Sequence, residues 1–151
     1  MKPMTTSQEL WTAVDAYIEE MALGADPVLD EVLASSAAAG LPAIAVSPSQ
    51  GKFLFVIAKS LGARRILELG TLGGFSGVWL ARALPLDGQL VTIEANSKHA
   101  EVARANFERA GVARVVDPRV GQALDVLSQL DAEGSAPFDL AFIDADKVRY
   151  P

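Results

Sequence analysis

The sequence predicts an α/β protein built on a doubly wound parallel sheet, and three observations predict it. Beyond Arg64, short apolar segments alternate with longer segments of helical periodicity. Two of the short segments, Leu90-Val91-Thr92-Ile93 and Leu140-Ala141-Phe142-Ile143, are nearly unbroken in apolar residues, as strands covered on both faces are. A glycine-rich stretch, Gly70 to Gly77, separates the first short segment from the helix that follows it. Strands that alternate with helices connect by right-handed crossovers and form a parallel sheet.

The elements follow in order. Ser7 is placed to cap a helix whose apolar positions Leu10, Val14, Tyr17, Ile18 and Met21 fall three and four apart. Asp26-Pro27 gives a second helix its cap and first-turn proline, and Gly40 stops it. Ser47-Pro48 opens a third, with Phe53, Leu54, Val56, Ile57 and Leu61 available for burial and Gly62 at its end. Arg65 to Leu69 reads as a strand, and the helix after the glycine turn runs through Val78, Trp79, Leu80 and Leu84. Gln89 to Glu94 is a second strand, Ser97 to Ala110 a helix closed by Gly111, and Val115 to Val120 a third strand. Ala123 to Leu130 is a helix and Phe138 to Ile143 a fourth strand. No fixed-period repeat interrupts this order. The chain reads as a single domain, 1–151, with a helical cap over 1–45 and an α/β core over 46–151.

Composition narrows the class. A chain of 151 residues, half of them hydrophobic, can bury a real core in one domain. Charged residues make up 21% without a long single-sign block, which argues against disorder. The net charge of −6 and a pI near 4.7 oppose general binding to nucleic acid phosphates, which needs clustered Lys and Arg. The absence of cysteine excludes disulfides, thiolate zinc sites and cysteine nucleophiles. Residues 1–6 lack the apolar stretch of a signal peptide. No apolar run approaches the ~20 residues of a membrane span. A soluble cytoplasmic protein, with neither nucleic acid nor membrane as partner, is the expectation.

The most informative segment is Glu68-Leu69-Gly70-Thr71-Leu72-Gly73-Gly74-Phe75-Ser76-Gly77. It lies after a strand and before a helix, where doubly wound sheets bind ligands. Counted from Gly70, a dinucleotide fingerprint would need glycine where Leu72 stands. A carboxylate followed by glycines two and six positions later suits an amino acid and a ribose better than two phosphates. Glu94 ends the next strand, where a carboxylate can accept both hydroxyls of a ribose. Gln122, after Gly121, offers hydrogen bonds to an adenine, although Gly121-Gln122-Ala123 reads equally well as a plain turn before a helix.

These residues resemble a known family. Glu68-Leu69-Gly70-Thr71 with Gly74-Phe75-Ser76, then Glu94, then Phe142-Ile143-Asp144-Ala145-Asp146-Lys147 are similar to the caffeoyl-CoA and catechol O-methyltransferase group. Ser47-Pro48-Ser49-Gln50-Gly51-Lys52-Phe53-Leu54 matches the helix that leads into the core of that group. The resemblance runs from about Val46 onward, and Asp144-Ala145-Asp146-Lys147 is its most specific part. It implies a Rossmann-like, S-adenosylmethionine-dependent methyltransferase fold with N-terminal helices, here lacking the last strands of the sheet. It also implies a cation-dependent enzyme that methylates one hydroxyl of a catechol-like or phenylpropanoid acceptor.

Carried over by position, the resemblance implies that Glu68, Gly70, Thr71 and Gly74 hold the methionine part of S-adenosylmethionine, with Ser76 adding a hydroxyl. Glu94 takes the ribose, Gln122 and Ala123 border the adenine, and Val46, Ala95 and Asp144 complete the cofactor contacts. Asp144 is implied as ligand of a divalent cation, magnesium or calcium, and Lys147 as general base. The chemistry agrees. A catechol hydroxyl is mostly protonated at neutral pH, like tyrosine at about 10, and a hard cation lowers that value while orienting both oxygens. A neighbouring cation also depresses a lysine toward proton acceptance. The bland reading of Asp144 and Lys147 is a capped strand end with a surface salt bridge.

His99 is expected to be an exposed helix residue near the adenine, and Trp79 to belong to the core. Trp11 and Tyr17 are expected in packing or subunit contact, and Tyr150 carries no assignment. Relatives of this group continue past the Asp144–Lys147 stretch with an Asp-Asn pair that completes the cation site. The chain is therefore expected to be a shortened form, weak in cofactor binding and turnover. It should associate as a homodimer or through an exposed edge at Leu140 to Ile143. Three rivals stand beside this reading: a metal-free methyltransferase for another acceptor, a cofactor-binding module without turnover, and a nicotinamide dehydrogenase, which Leu72 disfavours.

Overall fold

The computed structural model describes residues 7–145. In chain order it holds α1 (Ser7–Ile18), a π-helical turn (Glu19–Leu23), α2 (Pro27–Ala38), α3 (Pro48–Leu61), β1 (Arg65–Leu69), α4 (Phe75–Ala83) and β2 (Gln89–Glu94). There follow α5 (Ser97–Arg109), a 3-10 turn (Ala113–Val115), β3 (Val116–Val120), α6 (Ala123–Ala132) and β4 (Leu140–Ile143). The strands form a parallel sheet in the order β3-β2-β1-β4. The predicted α/β, doubly wound architecture is what forms. The chain steps outward from β1 to β2 to β3 and then returns to the far side of β1, so a topological switch point lies at the carboxyl ends of β1 and β4.

Alternation along the strands divides the core. Ile66 and Leu90 point into a cluster with Val32, Val78, Leu80 and Phe107 from α2, α4 and α5. Leu67, Leu69, Val91 and Ile93 point to the opposite face, against Val126 and Leu130 of α6. The period of two places Glu68 and Thr92 on the first face, and the register makes them direct neighbours, Glu68 opposite Thr92.

Helix signals act where the sequence puts them. The Asp26 side chain accepts from Leu29 N at 3.2 Å. Ser47 and Gln50 form a reciprocal capping box, and Gly62 closes α3 in the left-handed region. Trp79 is buried, as expected, and lies edge-on to Phe55 at 6.3 Å.

Along α1 and the π-helical turn after it, Leu10, Val14, Tyr17, Ile18 and Met21 are all exposed, as is Trp11. Other expectations are corrected. On α3 the buried side is Gly51 and Ala58, with Leu54 and Phe55 half-buried, while Phe53, Val56 and Leu61 face outward. The residues of α3 that pack are those facing α4, and the rest of its apolar surface exceeds what one neighbour can cover. β4 begins at Leu140, not Phe138, whose ring instead takes the Arg65 guanidinium 5.1 Å from its centroid. β3 begins one residue later than expected because the 3-10 turn holds Val115, and α6 runs two residues further, to Ala132. β4 pairs with β1 and has no second partner among the described residues; Ile143 is exposed there. Among the described residues no helix is long and apolar enough to cross a membrane.

Candidate functional site

A cleft of about 1290 Å³ opens at the switch point. Its floor is the loop after β1, and its walls are the segment 41–46, the end of β2, the start of α6 and the end of β4. A second cavity of about 570 Å³ lies at the amino ends of the strands. There Arg64, Arg65 and Arg114 face Asp87, Asp117 and Asp139, so it offers a ligand no net charge.

The turn after β1 is shaped by its backbone. Gly70 (φ 98°) and Gly74 (φ 85°) occupy the left-handed side of the map, where a Cβ is costly. A side chain on Gly70 would also come within 2.3 Å of the Asp144 carbonyl oxygen, so glycine is what allows β1 and β4 to end side by side. Leu72 has a positive φ of 48°, alone among the described non-glycine residues. Its strained conformation aims the N–H at Glu94, which accepts it through Oε2 at 2.8 Å. The other oxygen of Glu94, Oε1, accepts from Asn96 N at 2.9 Å. Two backbone donors thus fix the carboxylate at the end of β2, with lone pairs left for a ligand in the cleft. The same geometry separates this turn from a dinucleotide loop, because the Leu72 N–H is committed to a carboxylate and not to a phosphate.

Glu68 lies beneath the turn. It is wholly buried; Oε1 accepts from Ser76 Oγ and Oε2 from Thr92 Oγ1, each at 2.6 Å. Thr92 Oγ1 shares a further 2.6 Å hydrogen bond with Thr71 Oγ1. Burial pushes the Glu68 carboxyl up to about 7 from 4.5. The hydrogen bonds from Ser76 and Thr92 oppose that shift, while the Asp144 and Glu94 carboxylates add to it. With Glu94 and Asp144 beside it, and Glu68 beneath it kept neutral below about pH 7, the turn lies in a field better suited to a cation than to a pyrophosphate.

The cleft brings together Val46, Gly70, Thr71, Ser76, Glu94, Ala95, Gln122, Ala123 and Asp144 from the residues selected by sequence. Glu68 and Gly74 do not line it. They support its floor from below, because the strand alternation turns Glu68 under α4 and Gly74 is pressed onto Phe107. Asp144 sits at the end of β4, its N–H donating to Leu69 O at 2.9 Å. Lys147, Asp146 and Tyr150 lie outside the described residues.

His99 is less exposed than expected. Its side chain is 20% exposed, lines the cleft, and places Nδ1 3.7 Å from Glu94 Oε1. Sequence reasoning also passed over Thr92, Asn106 and the cap residues Ser36 and Leu41. Thr92 alone carried a signal, a polar residue in an otherwise apolar strand.

Among the described residues no cluster of three or more His, Cys, Asp or Glu is placed to hold a metal ion. Magnesium and calcium take six or more oxygens, so these residues do not by themselves fit such an ion.

Comparison with known proteins agrees with this geometry. A model of the O-methyltransferase family matches residues 19–151. A catechol O-methyltransferase of Niastella koreensis is 49% identical over 144 residues, covering 95% of this chain and 65% of the relative. A catechol O-methyltransferase of Mycobacterium tuberculosis is 56% identical over 134 residues, covering 89% and 60%. The crystal structure of an O-methyltransferase from Bacillus cereus in complex with SAH superposes with a TM-score of 0.90 at 54% identity, covering 92% of this chain and 63% of that one. The chain thus spans 60 to 65% of the length of these relatives.

Proposed function

Because the chain belongs to the O-methyltransferase family, we propose that it binds S-adenosylmethionine in the cleft and serves methyl transfer to a hydroxyl of a small catechol-like or phenylpropanoid acceptor. The observation that carries this reading is the Glu94 carboxylate, clamped by Leu72 N–H and Asn96 N–H beside a turn ringed by carboxylates. A ribose donates two hydroxyls to such a carboxylate, and a methionine sulfonium and ammonium bring the positive charge that the turn favours. The N. koreensis and M. tuberculosis relatives are named for catechol methylation, which supports the acceptor class.

The residues then divide the work. Glu94 holds the ribose hydroxyls, and Gln122 and Ala123 border the adenine. Gly70, Thr71 and Ser76 floor the methionine arm, with Val46, Ala95 and Asp144 completing the contacts. Glu68 and Gly74 act from beneath that floor. Transfer is an in-line displacement: an acceptor oxygen forms its bond to the methyl carbon as the carbon–sulfur bond breaks, and the electron pair leaves on sulfur. The cleft contributes by aligning these atoms. The acceptor proton passes to a base, for which Lys147 is proposed, and Asp144 is proposed as one ligand of a divalent cation. Such a cation would lower the acceptor hydroxyl pKa. The assembly proposed is a homodimer or a pairing through the β4 edge, and the location proposed is the cytoplasm.

Calorimetry with S-adenosylhomocysteine on the chain and on Glu94→Ala tests the reading. Losing both ribose contacts should weaken binding by about tenfold or more, about 1.4 kcal/mol. Equal affinity in both proteins would remove Glu94 from the ribose. Binding of NAD in place of S-adenosylhomocysteine would overturn the reading as a whole.

A further inference from the structure

We propose that Asn106, remote from the ligand itself, is a positioning residue that locks the cofactor turn to the helical cap. Asn106 lies on α5 and is wholly buried. Its amide nitrogen donates to Gly73 O at 2.8 Å, and lies 3.4 Å from both Val32 O and Ser36 Oγ. Its amide oxygen accepts from Ser35 Oγ at 2.7 Å and from the Arg109 guanidinium. One side chain therefore joins the turn, α2 and α5 across sequence separations of 33 and 71 residues.

The join is tight on the turn side. A Cβ on Gly73 would stand 2.1 Å from Ser36 Oγ, so turn and cap are already in contact. Both partners belong to the cleft: Gly73 is part of its floor, and Ser36 and Leu41 are part of the cap wall. Val32 O keeps the Ser36 hydroxyl at 2.7 Å whatever Asn106 does, whereas Gly73 is buried and its carbonyl, on losing the Asn106 donor, carries a desolvation cost. The turn keeps its height relative to the cap only while the Asn106 amide donates. The consequence is selective. Gly73 lies in the turn between Thr71 and Ser76, the residues proposed to floor the methionine arm, whereas ribose and adenine are assigned to Glu94 and the start of α6. Losing the Asn106 donor should therefore loosen the methionine arm and spare the nucleoside.

This inference rests on the proposed cofactor reading, and the experiment separates the two. Binding of S-adenosylhomocysteine and of adenosine is measured by calorimetry on the unaltered chain, on Asn106→Asp and on Ser35→Ala. Asp keeps the acceptor oxygen but turns a second oxygen onto the Gly73 carbonyl. Ser35→Ala removes a donor to the amide oxygen and leaves the Gly73 bond intact. The expected result is about tenfold weaker S-adenosylhomocysteine binding for Asn106→Asp, with adenosine affinity held within about twofold. Ser35→Ala should keep both affinities while losing some stability. If Asn106→Asp does not fold, Asn106→Ala carries the same comparison, since it removes the amide donor to Gly73 O and leaves no charge in its place. An equal loss for both ligands, or no loss for either, would overturn the proposal and leave Asn106 a packing residue. Failure of the unaltered chain to bind S-adenosylhomocysteine would instead overturn the cofactor reading.

Discussion

Replacing Glu68 by Gln should remove a pH dependence of stability that the unaltered chain carries between about pH 4.5 and 7. The Glu68 carboxyl is wholly buried and pushed up to about 7, chiefly by loss of hydration, from 4.5. In the window between those values the folded chain binds a proton that the unfolded chain has released. The contribution is fully present below pH 4.5, falls as pH rises, and is gone above about 7. At about 1.4 kcal/mol for each tenfold change in proton affinity, the difference amounts to about 3 kcal/mol. Gln keeps the hydrogen bonds: its oxygen accepts from Ser76, its amide donates to Thr92 Oγ1, and the Thr92 hydroxyl then donates to Thr71, a direction the 2.6 Å pair permits. Urea denaturation at pH 5 and pH 8 measures the effect. The two proteins should be alike at pH 5, and Glu68→Gln should be the more stable by up to about 3 kcal/mol at pH 8. All other titrating groups are common to both and drop out of the comparison. Parallel pH profiles would refute the reasoning, since they would mean that Glu68 is charged in the folded chain throughout.

Further outcomes follow from single contacts. Gly70→Ala places a methyl group 2.3 Å from the Asp144 carbonyl at a φ of 98°, and should cost about 2 kcal/mol or more in denaturant unfolding. Phe107→Ala empties the site beneath Gly74 and Gly77; a loss of about 3–5 kcal/mol is expected in the same assay, with weaker S-adenosylhomocysteine binding as the turn sags. Asp26 caps α2 and is held below its usual range, first by its hydrogen bond with Arg82. Asp26→Ala should therefore cost about 1 kcal/mol at pH 6. Because a depressed carboxyl contributes fully above its unfolded value of 3.8 and loses that contribution as pH falls through its lower folded value, the difference should shrink below pH 3.8, and a constant difference down to pH 2 would count against the charged contacts of Asp26.

What the sequence reveals depends on whether a feature is written in neighbours along the chain or in neighbours across it. β1 and β2 were legible to the residue, because a strand covered on both faces is an apolar run with sharp ends. The turn was legible as well, since Leu72 in a glycine-rich loop disfavours a dinucleotide. The fate of α1 was not. Periodicity says that Leu10, Val14 and Met21 share a face, but a stripe carries no information about what covers it. The roles of Glu68 and Thr92 were hidden for another reason. Each looks like a separate polar residue in a strand, and only the register places one opposite the other. That pairing decides the chemistry of the site. With Glu68 turned under α4, the carboxylate of β1 and β2 left facing the cleft is Glu94, and its aim depends on the backbone of Leu72. The residue that disfavours a pyrophosphate in the sequence is thus the one whose N–H, in the fold, orients the carboxylate proposed to grip a ribose. A glycine at that position would relieve the positive φ and free the loop to swing its N–H away, so the bulk of Leu72 and the aim of Glu94 belong to one constraint.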